Sequence, residues 1–311
     1  MRSLVVDLAT PAGLRLEQRP EPTVGAGQVL IQVEAVSLVD RDLDYAPRMV
    51  GAGGVWGFDA AGTVIGAAPD LGAPGSPPAP ALGTRVVTLL PAPGAWSELV
   101  VSDVADVAPL PDAVDAATAT ALALPGLSAL QVVHEIPPLA GQHVLVTGAS
   151  GGVGWYAVQL AATAGARVTA LVRDAADTEP LRRIGAAAVV TGLADVTGPV
   201  DVVIDIVGGA VLAAAVPLLG QGGVAVAVGA ISGEPTVLAP DTLASPARRR
   251  LQGYWGHWPV GDDLRELVGL VAAGRLTPAE HPRTSWQAVD ELAAGYRDGR
   301  VRRRRAILAV D

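Results

Sequence analysis

The chain has 311 residues, 50% of them hydrophobic and 17% charged, so it can bury two sizeable cores and is not a disordered chain. A formal charge of −9 argues against a nucleic-acid surface, and because every basic residue is arginine no lysine is available as a Schiff base or general base. Cysteine is absent, which rules out disulfides, thiol nucleophiles and thiolate metal sites.

The four histidines, His134, His143, His257 and His281, lack the spacing of a zinc pair, so no metal site is expected. The amino-terminal apolar run is too short for a signal peptide, and no run approaches the ~20 apolar residues of a membrane span. A soluble, cytoplasmic protein is expected, acting on a small-molecule substrate, with no nucleic-acid or membrane partner.

From Arg2 to Leu122, short alternating runs broken by Gly and Pro predict strands at 4–8, 29–36, 61–65, 85–90 and 97–101. The Pro-rich stretch 69–82 reads as an exposed loop, since its proline density forbids ladder hydrogen bonds. Residues 112–123 predict a helix, which Pro125, Gly126 and Leu127 interrupt before a second helix over 128–135.

Next comes the most informative stretch. Residues 144–147 are an apolar, β-branched run suited to a strand buried on both faces, and a glycine turn follows at once. An Ala-rich helix over 155–164, closed by Gly165, leads to a second apolar run at 167–172. Strand, turn, helix and strand make a βαβ unit. Further strands at 187–190, 202–207 and 224–228 alternate with Ala/Leu-rich helical stretches, which predicts a doubly wound parallel sheet.

A helix is expected over 262–273, then another in the closing segment before a last strand at 306–310. That last strand suits the β-rich amino half better than the parallel sheet. The predicted organisation is therefore a discontinuous β-rich domain, 1–122 and 260–311, with an α/β domain, 123–259, inserted into it. The basic run Arg302 to Arg305 reads as a solvated turn.

The turn itself reads A-x-G-x-x-G, with Ala149, Gly151 and Gly154 at the marked positions and Gly148 before them. A backbone that passes close to a pyrophosphate cannot carry a Cβ there, and the helix behind it aims unpaired N–H groups at the phosphates. Thr147, Gly148, Ala149, Ser150, Gly151, Gly152, Val153 and Gly154 are accordingly candidate cofactor contacts, with Val207, Gly229 and Ala230 near later strand ends. The residue nineteen places after Gly154 is Arg173, where a guanidinium can pair bidentately with a 2′-phosphate and favours NADPH. Asp174, one place on, would favour NAD if the strand ended a residue later.

These segments together resemble the medium-chain dehydrogenase/reductase superfamily, and within it the zinc-free quinone oxidoreductases and enoyl reductases. The motifs are GFDAAGTV (57–64), LGTRVV (82–87), GAWSELVV (94–101), LPGLSAL (124–130) and VTGASGGVG (146–154). The resemblance implies a Rossmann sheet joined to a discontinuous GroES-like β-barrel catalytic domain, and a homodimer through the edges of the nucleotide sheets. Two departures stand out. The cysteine ligands of the zinc-dependent members are missing, so Lewis-acid polarisation is not the expected mechanism. The reductases' N-x-x-D segment reads Ser37-Leu38-Val39-Asp40, with Asp42 where a tyrosine would fall and Tyr45 three residues later.

Without a metal, the negative charge that hydride transfer builds on an acceptor needs hydrogen-bond donors or conjugation. A quinone or an α,β-unsaturated carbonyl, such as a polyketide-type intermediate, meets that need. Tyr45 is the candidate proton donor, Asp40 its orienting residue, and Ser37 and Ser128 are candidate nicotinamide or substrate contacts. Trp56, Trp96, Tyr254 and Trp255 are candidate substrate contacts. Tyr254, Trp255, His257 and Trp258 form an aromatic cluster that suits either a flat substrate or a dimer seam. Two other functions remain open: a zinc-free oxidoreductase of unconjugated carbonyls or alcohols, and a non-catalytic NADP(H)-binding sensor.

Overall fold

The computed structural model describes residues 1–68, 78–136, 138–301 and 305–311. Within them the chain divides into a first unit, Met1–Leu127 with His257–Asp311, and a second, Ser128–Gly256. These limits fall a few residues from the 122/123 and 259/260 expected.

The first unit opens with β1 (Arg2–Val6) and β2 (Leu14–Gln18), an antiparallel pair. β2 is a strand the alternation did not predict, since its sequence LRLEQ buries only Leu14. There follow β3 (Gln28–Leu38), α1 (Asp42–Met49), β4 (Asp59–Ala67), β5 (Arg85–Leu89), β6 (Leu99–Asp103) and the three-residue β7 (Val107–Pro109). In β3, Val29, Ile31 and Val33 are buried in alternation; a register shift against β4 between Val33 and Ala35 then lets Ala35 to Leu38 bury successive side chains. Residues 69–77 of the Pro-rich stretch lie outside the described residues.

The expected break at Pro125 does not occur: α2 (Ala116–Glu135) is one helix of 20 residues with Pro125 inside it. It starts where Asp115 accepts a hydrogen bond from the Thr118 N–H at 2.6 Å. An internal proline costs about 3 kcal/mol. Burial of Leu122, Leu127, Leu130 and Val132, at roughly 1.5–3 kcal/mol for each side chain, outweighs it. Read as one element, α2 is long and apolar enough to cross a membrane, which corrects the expectation that no run approaches that length, but most of it is buried inside the fold.

The second unit contains β8 (His143–Thr147), α3 (Gly152–Thr163), β9 (Arg167–Leu171), α4 (Thr178–Arg183), β10 (Ala188–Val190), β11 (Val200–Asp205), α5 (Gly209–Ala215), β12 (Leu219–Ala227) and β13 (Arg250–Gly253). All six strands are parallel, in the order β10-β9-β8-β11-β12-β13. This is the doubly wound arrangement, whose strand order reverses between β8 and β11. Every residue of β8 is buried, as a central parallel strand requires. β13 carries no apolar run because it is the edge strand; pairing to β12 holds it, and its Arg250-Leu251-Gln252-Gly253 side chains are exposed or half-buried.

The chain returns to the first unit with α6 (Gly261–Ala272), β14 (Arg283–Ser285), α7 (Val289–Arg297) and β15 (Ala306–Ala309). β15 pairs antiparallel with β3, Ala306 opposite Leu38 and Leu308 opposite Val36, so the last strand does join the amino-terminal sheet. That sheet has the order β14-β15-β3-β4-β5-β7, with β6 also on β3. Its core packs Leu4, Val36, Leu38, Trp56, Trp96, Trp286 and Leu308 together. Of the basic run expected as a solvated turn, Arg305 is half-buried and paired with Asp59, while residues 302–304 lie outside the described residues.

Candidate functional site

In the second unit the glycine turn lies at the carboxyl end of β8, beside the point where the strand order reverses. Gly148 has φ +60°, and the Ala149 N–H donates to the Leu171 carbonyl at 3.2 Å, which docks the turn on β9. A Cβ on Gly154 would stand 2.3 Å from the Gly148 carbonyl oxygen and 2.7 Å from the Ala149 Cα, so only glycine allows α3 to start this close to the turn. Gly151 is exposed, Ser150, Gly152 and Val153 are half-buried, and no side chain caps α3. The first turn of α3 therefore keeps backbone donors facing out of the fold, a cradle that suits a phosphate.

Thr147 ends β8 and Asp205 ends β11. The Thr147 hydroxyl donates to Asp205 Oδ1 at 2.6 Å and accepts from the Ile206 N–H at 3.1 Å, while Asp205 Oδ2 accepts from the Gly208 N–H at 2.7 Å. Burial pushes the Asp205 carboxyl above its ordinary range, against hydrogen bonds from Thr147, Gly208 and Val207 that pull it back. The Asp205 carbonyl accepts from the Val228 and Gly229 N–H groups at 2.7 and 3.2 Å. Val207, Gly229 and Ala230 thus come together with Gly148: a Cβ there would lie 3.2 Å from Val207 Cγ2, and one on Gly208 would lie 3.2 Å from Ala230 Cα. Asp205 escaped sequence analysis because it falls inside the apolar run 202–207 and its side-chain partner Thr147 lies 58 residues away.

Arg173 is exposed, two residues past the end of β9. Asp174 is turned to local use, its Oδ1 accepting from the Ala176 N–H at 2.9 Å. Ser128 lies half-buried in α2, and the Tyr254 hydroxyl donates to Gln131 Oε1 at 2.8 Å. Trp255 is 87% exposed. Of the aromatic cluster, Trp258 belongs to the first unit, where its Nε1–H donates to the Leu89 carbonyl at 3.2 Å.

In the first unit the predicted residues meet a buried polar cluster. Asp59 Oδ1 accepts from the Ser37 hydroxyl at 2.5 Å and from the Ser37 N–H at 3.2 Å; Asp59 Oδ2 pairs with Arg305 Nη1 at 2.5 Å, and the same guanidinium nitrogen also donates to the Ser37 hydroxyl. Ser37 is buried and its hydroxyl both donates and accepts inside this cluster, so the structure assigns it to holding the fold and not to a substrate contact. Trp96 is 0% exposed, with its Nε1–H on the Ser37 carbonyl at 2.8 Å. It has no surface to offer a substrate, which corrects its candidacy; it is a core pillar. Trp56, 8% exposed, stacks edge-on against Phe58 at 5.1 Å between ring centroids and donates from Nε1 to Asp42 Oδ1 at 2.9 Å.

Asp42 also accepts from the Val39 N–H at 2.7 Å. Burial raises its carboxyl to about 6, with hydrogen bonds from Val39 and Trp56 opposing the shift. Tyr45 is 46% exposed and lies at i+3 from Asp42 on α1, whereas Asp40 precedes that helix. Burial, followed by the charges of Asp40 and Asp42, pushes the buried Tyr296 phenol above its ordinary range. The Asp59–Arg305 pair was missed because the two residues lie 246 positions apart in the chain. Among the described residues no three His, Asp or Glu side chains gather to hold a metal ion.

Comparison with known proteins places this geometry. Residues 152–273 match the family described as zinc-binding dehydrogenase. Prostaglandin reductase-3 of Bos taurus is 30% identical over 318 residues, spanning 91% of this chain and 82% of that one. The erythronolide synthase EryA2 of Saccharopolyspora erythraea is 34% identical over 287 residues, 88% of this chain; the chain spans only 8% of that longer protein. A quinone oxidoreductase from Coxiella burnetii, 25% identical, superposes with a TM-score of 0.81 over 100% of this chain and 99% of its own. The chain therefore belongs to the medium-chain dehydrogenase/reductase superfamily, an NAD(P)-dependent oxidoreductase family, on the branch that holds the quinone oxidoreductases and enoyl reductases.

Proposed function

We propose that the chain is an NADPH-dependent reductase that reduces a conjugated carbonyl, a quinone or an enone of polyketide type, without a metal ion. The observation that carries this reading is the glycine-rich turn Gly148–Gly154 at the strand-order reversal, closed to a Cβ at Gly154, with the exposed Arg173 guanidinium just past the neighbouring strand. The open first turn of α3 suits a pyrophosphate, and Arg173 suits a 2′-phosphate while the nearby Asp174 carboxylate is engaged with Ala176. When bound, the reduced nicotinamide supplies the hydride. Conjugation in the acceptor would then spread the developing charge in place of a thiolate-held zinc ion, for which the chain has no cysteine ligands.

Tyr45 is the proton donor of this proposal, exposed and one turn from Asp42; Asp40 orients it. Tyr254 and Trp255 follow the edge strand β13 and serve as substrate contacts. The polyketide assignment draws support from relatives such as EryA2, and the enone assignment from a trans-enoyl reductase of Aspergillus flavipes that is 31% identical over 180 residues. A homodimer through the exposed β13 edge completes the proposal.

Stopped-flow loss of nicotinamide absorbance, with chelator-treated protein and a panel of enones, quinones and saturated ketones, tests it. Oxidation of NADPH by the conjugated acceptors is expected. Turnover confined to saturated ketones, or binding without any oxidation, overturns it. Arg173→Ala should weaken NADPH binding about tenfold or more and leave NADH binding unchanged.

A further inference from the structure

The two strands that flank the reversal point run side by side, Val144 opposite Val202, Leu145 opposite Val203 and Val146 opposite Ile204. Beyond Val146 and Ile204 the ladder stops. The chain leaves β8 through the glycine turn into α3, and leaves β11 through 206–208 into α5. In a doubly wound sheet the connections on either side of such a point pass to opposite faces, which opens the crevice but removes the backbone pairing that would hold its rims in register.

Asp205 replaces that pairing. Its Oδ1 takes the Thr147 hydroxyl at 2.6 Å, its Oδ2 takes the Gly208 N–H at 2.7 Å, and its backbone carbonyl takes the Val228 and Gly229 N–H groups at the end of β12. Thr147 closes the loop by accepting from the Ile206 N–H at 3.1 Å. One 0% exposed residue thus ties together the ends of three strands, its carboxylate joining Thr147 of β8 to Gly208 after β11 and its backbone carbonyl taking the end of β12, the segments from which Gly148, Val207, Gly229 and Ala230 emerge.

We propose that Asp205, acting through the Thr147 hydroxyl and the Gly208 amide, is a positioning residue for the bound dinucleotide, holding the 148–154 and 206–209 loops at the separation the cofactor needs. The proposal rests on the cofactor reading given above. An ionised carboxylate suits this position because it only accepts hydrogen bonds, and in this arrangement the Thr147 hydroxyl and the Gly208 N–H both donate to it. An asparagine would turn an N–H₂ toward either Thr147 or Gly208. The knot lies at the crevice between strand ends and not at the adenosine end, which Arg173 serves, so its loss should act on the two ends of the ligand differently.

Isothermal titration of Asp205→Asn, Thr147→Val and Thr147→Ser with NADPH and with adenosine 2′-monophosphate separates these effects. Asp205→Asn and Thr147→Val are expected to weaken NADPH about tenfold to a hundredfold, the loss of a hydrogen bond to a charged group, and to leave adenosine 2′-monophosphate within about twofold. Thr147→Ser, which keeps the hydroxyl, should bind as the parent does. Hydrogen exchange should show faster amides in 148–154 and 206–209 in the two weakened variants. Equal NADPH affinity in a folded Asp205→Asn, or equal loss of both ligands, overturns the proposal. If Asp205→Asn does not fold, the Thr147 pair decides by the same comparison. Failure of the parent protein to bind NADPH would instead refute the cofactor reading.

Discussion

Arg305→Met is the sharpest test of the first unit. The guanidinium side chain is 10% exposed and its Asp59 partner 3%. Methionine keeps most of the apolar stem and removes the charge. Among the described residues, Asp59 would then keep the Ser37 N–H and hydroxyl as its donors. Breaking one partner out of a buried pair costs about 3–5 kcal/mol, because the remaining charge is left in a poorly solvating interior. The two Ser37 donors persist, which places the expectation near 3 kcal/mol. Equilibrium unfolding in urea, followed by tryptophan fluorescence, reads this directly: the Trp96 indole donates to the Ser37 carbonyl and sits against the cluster. Arg305→Met with Asp59→Asn should recover about half of the loss, since the uncompensated charge is gone. A loss under about 1 kcal/mol for the single variant, or a double variant no better than the single, would refute the argument.

Three further outcomes follow from the geometry. Gly154→Ala places a Cβ 2.3 Å from a backbone oxygen, so the turn must shift; a loss of about 1–3 kcal/mol and of dinucleotide affinity is expected, and unchanged titration of NADPH would contradict the close packing. The Asp42 carboxyl, raised to about 6 in the fold, contributes fully below its unfolded value near 3.8 and loses that contribution as pH rises through about 6. Asp42→Asn should therefore flatten the decline in first-unit stability between those pH values, and an unaltered pH profile would count against the burial assigned to Asp42. His143 works in the opposite sense: its Nδ1–H donates to the Pro199 carbonyl at 2.9 Å, its Nε2 accepts from Thr169 at 2.8 Å, and burial lowers its affinity for protons. Its contribution is complete above the unfolded value of about 6.5 and is lost as pH falls below that. His143→Gln should remove this acid-side slope in a denaturation series, and a slope that persists would dissociate it from His143.

Much of the second unit was legible in the sequence because its signals are local. The βαβ unit occupies one continuous window, and the fully buried β8, the glycine turn and the helix behind it must each be written in neighbouring residues. Strand pairing over long distances was legible only where composition forced it, as with the apolar β15 that joined the amino-terminal sheet. Edge strands such as β2 and β13 escaped, since one solvated face and a partner's backbone suffice to form them.

What the sequence determined by itself is the local βαβ window, the glycine turn within it and the absence of thiolate ligands, all consequences of residue type and near spacing. Tertiary structure alone decided which polar groups are used up. Arg305 meets Asp59 across 246 residues and Thr147 meets Asp205 across 58, and no local pattern marks a serine or arginine as buried when its partner lies that far along the chain. The same holds for α2 and Trp96. Pro125 looks like a breaker and Trp96 like a binding residue until the burial around them is known, because the free energy that overrides local preference comes from contacts that only the folded chain makes.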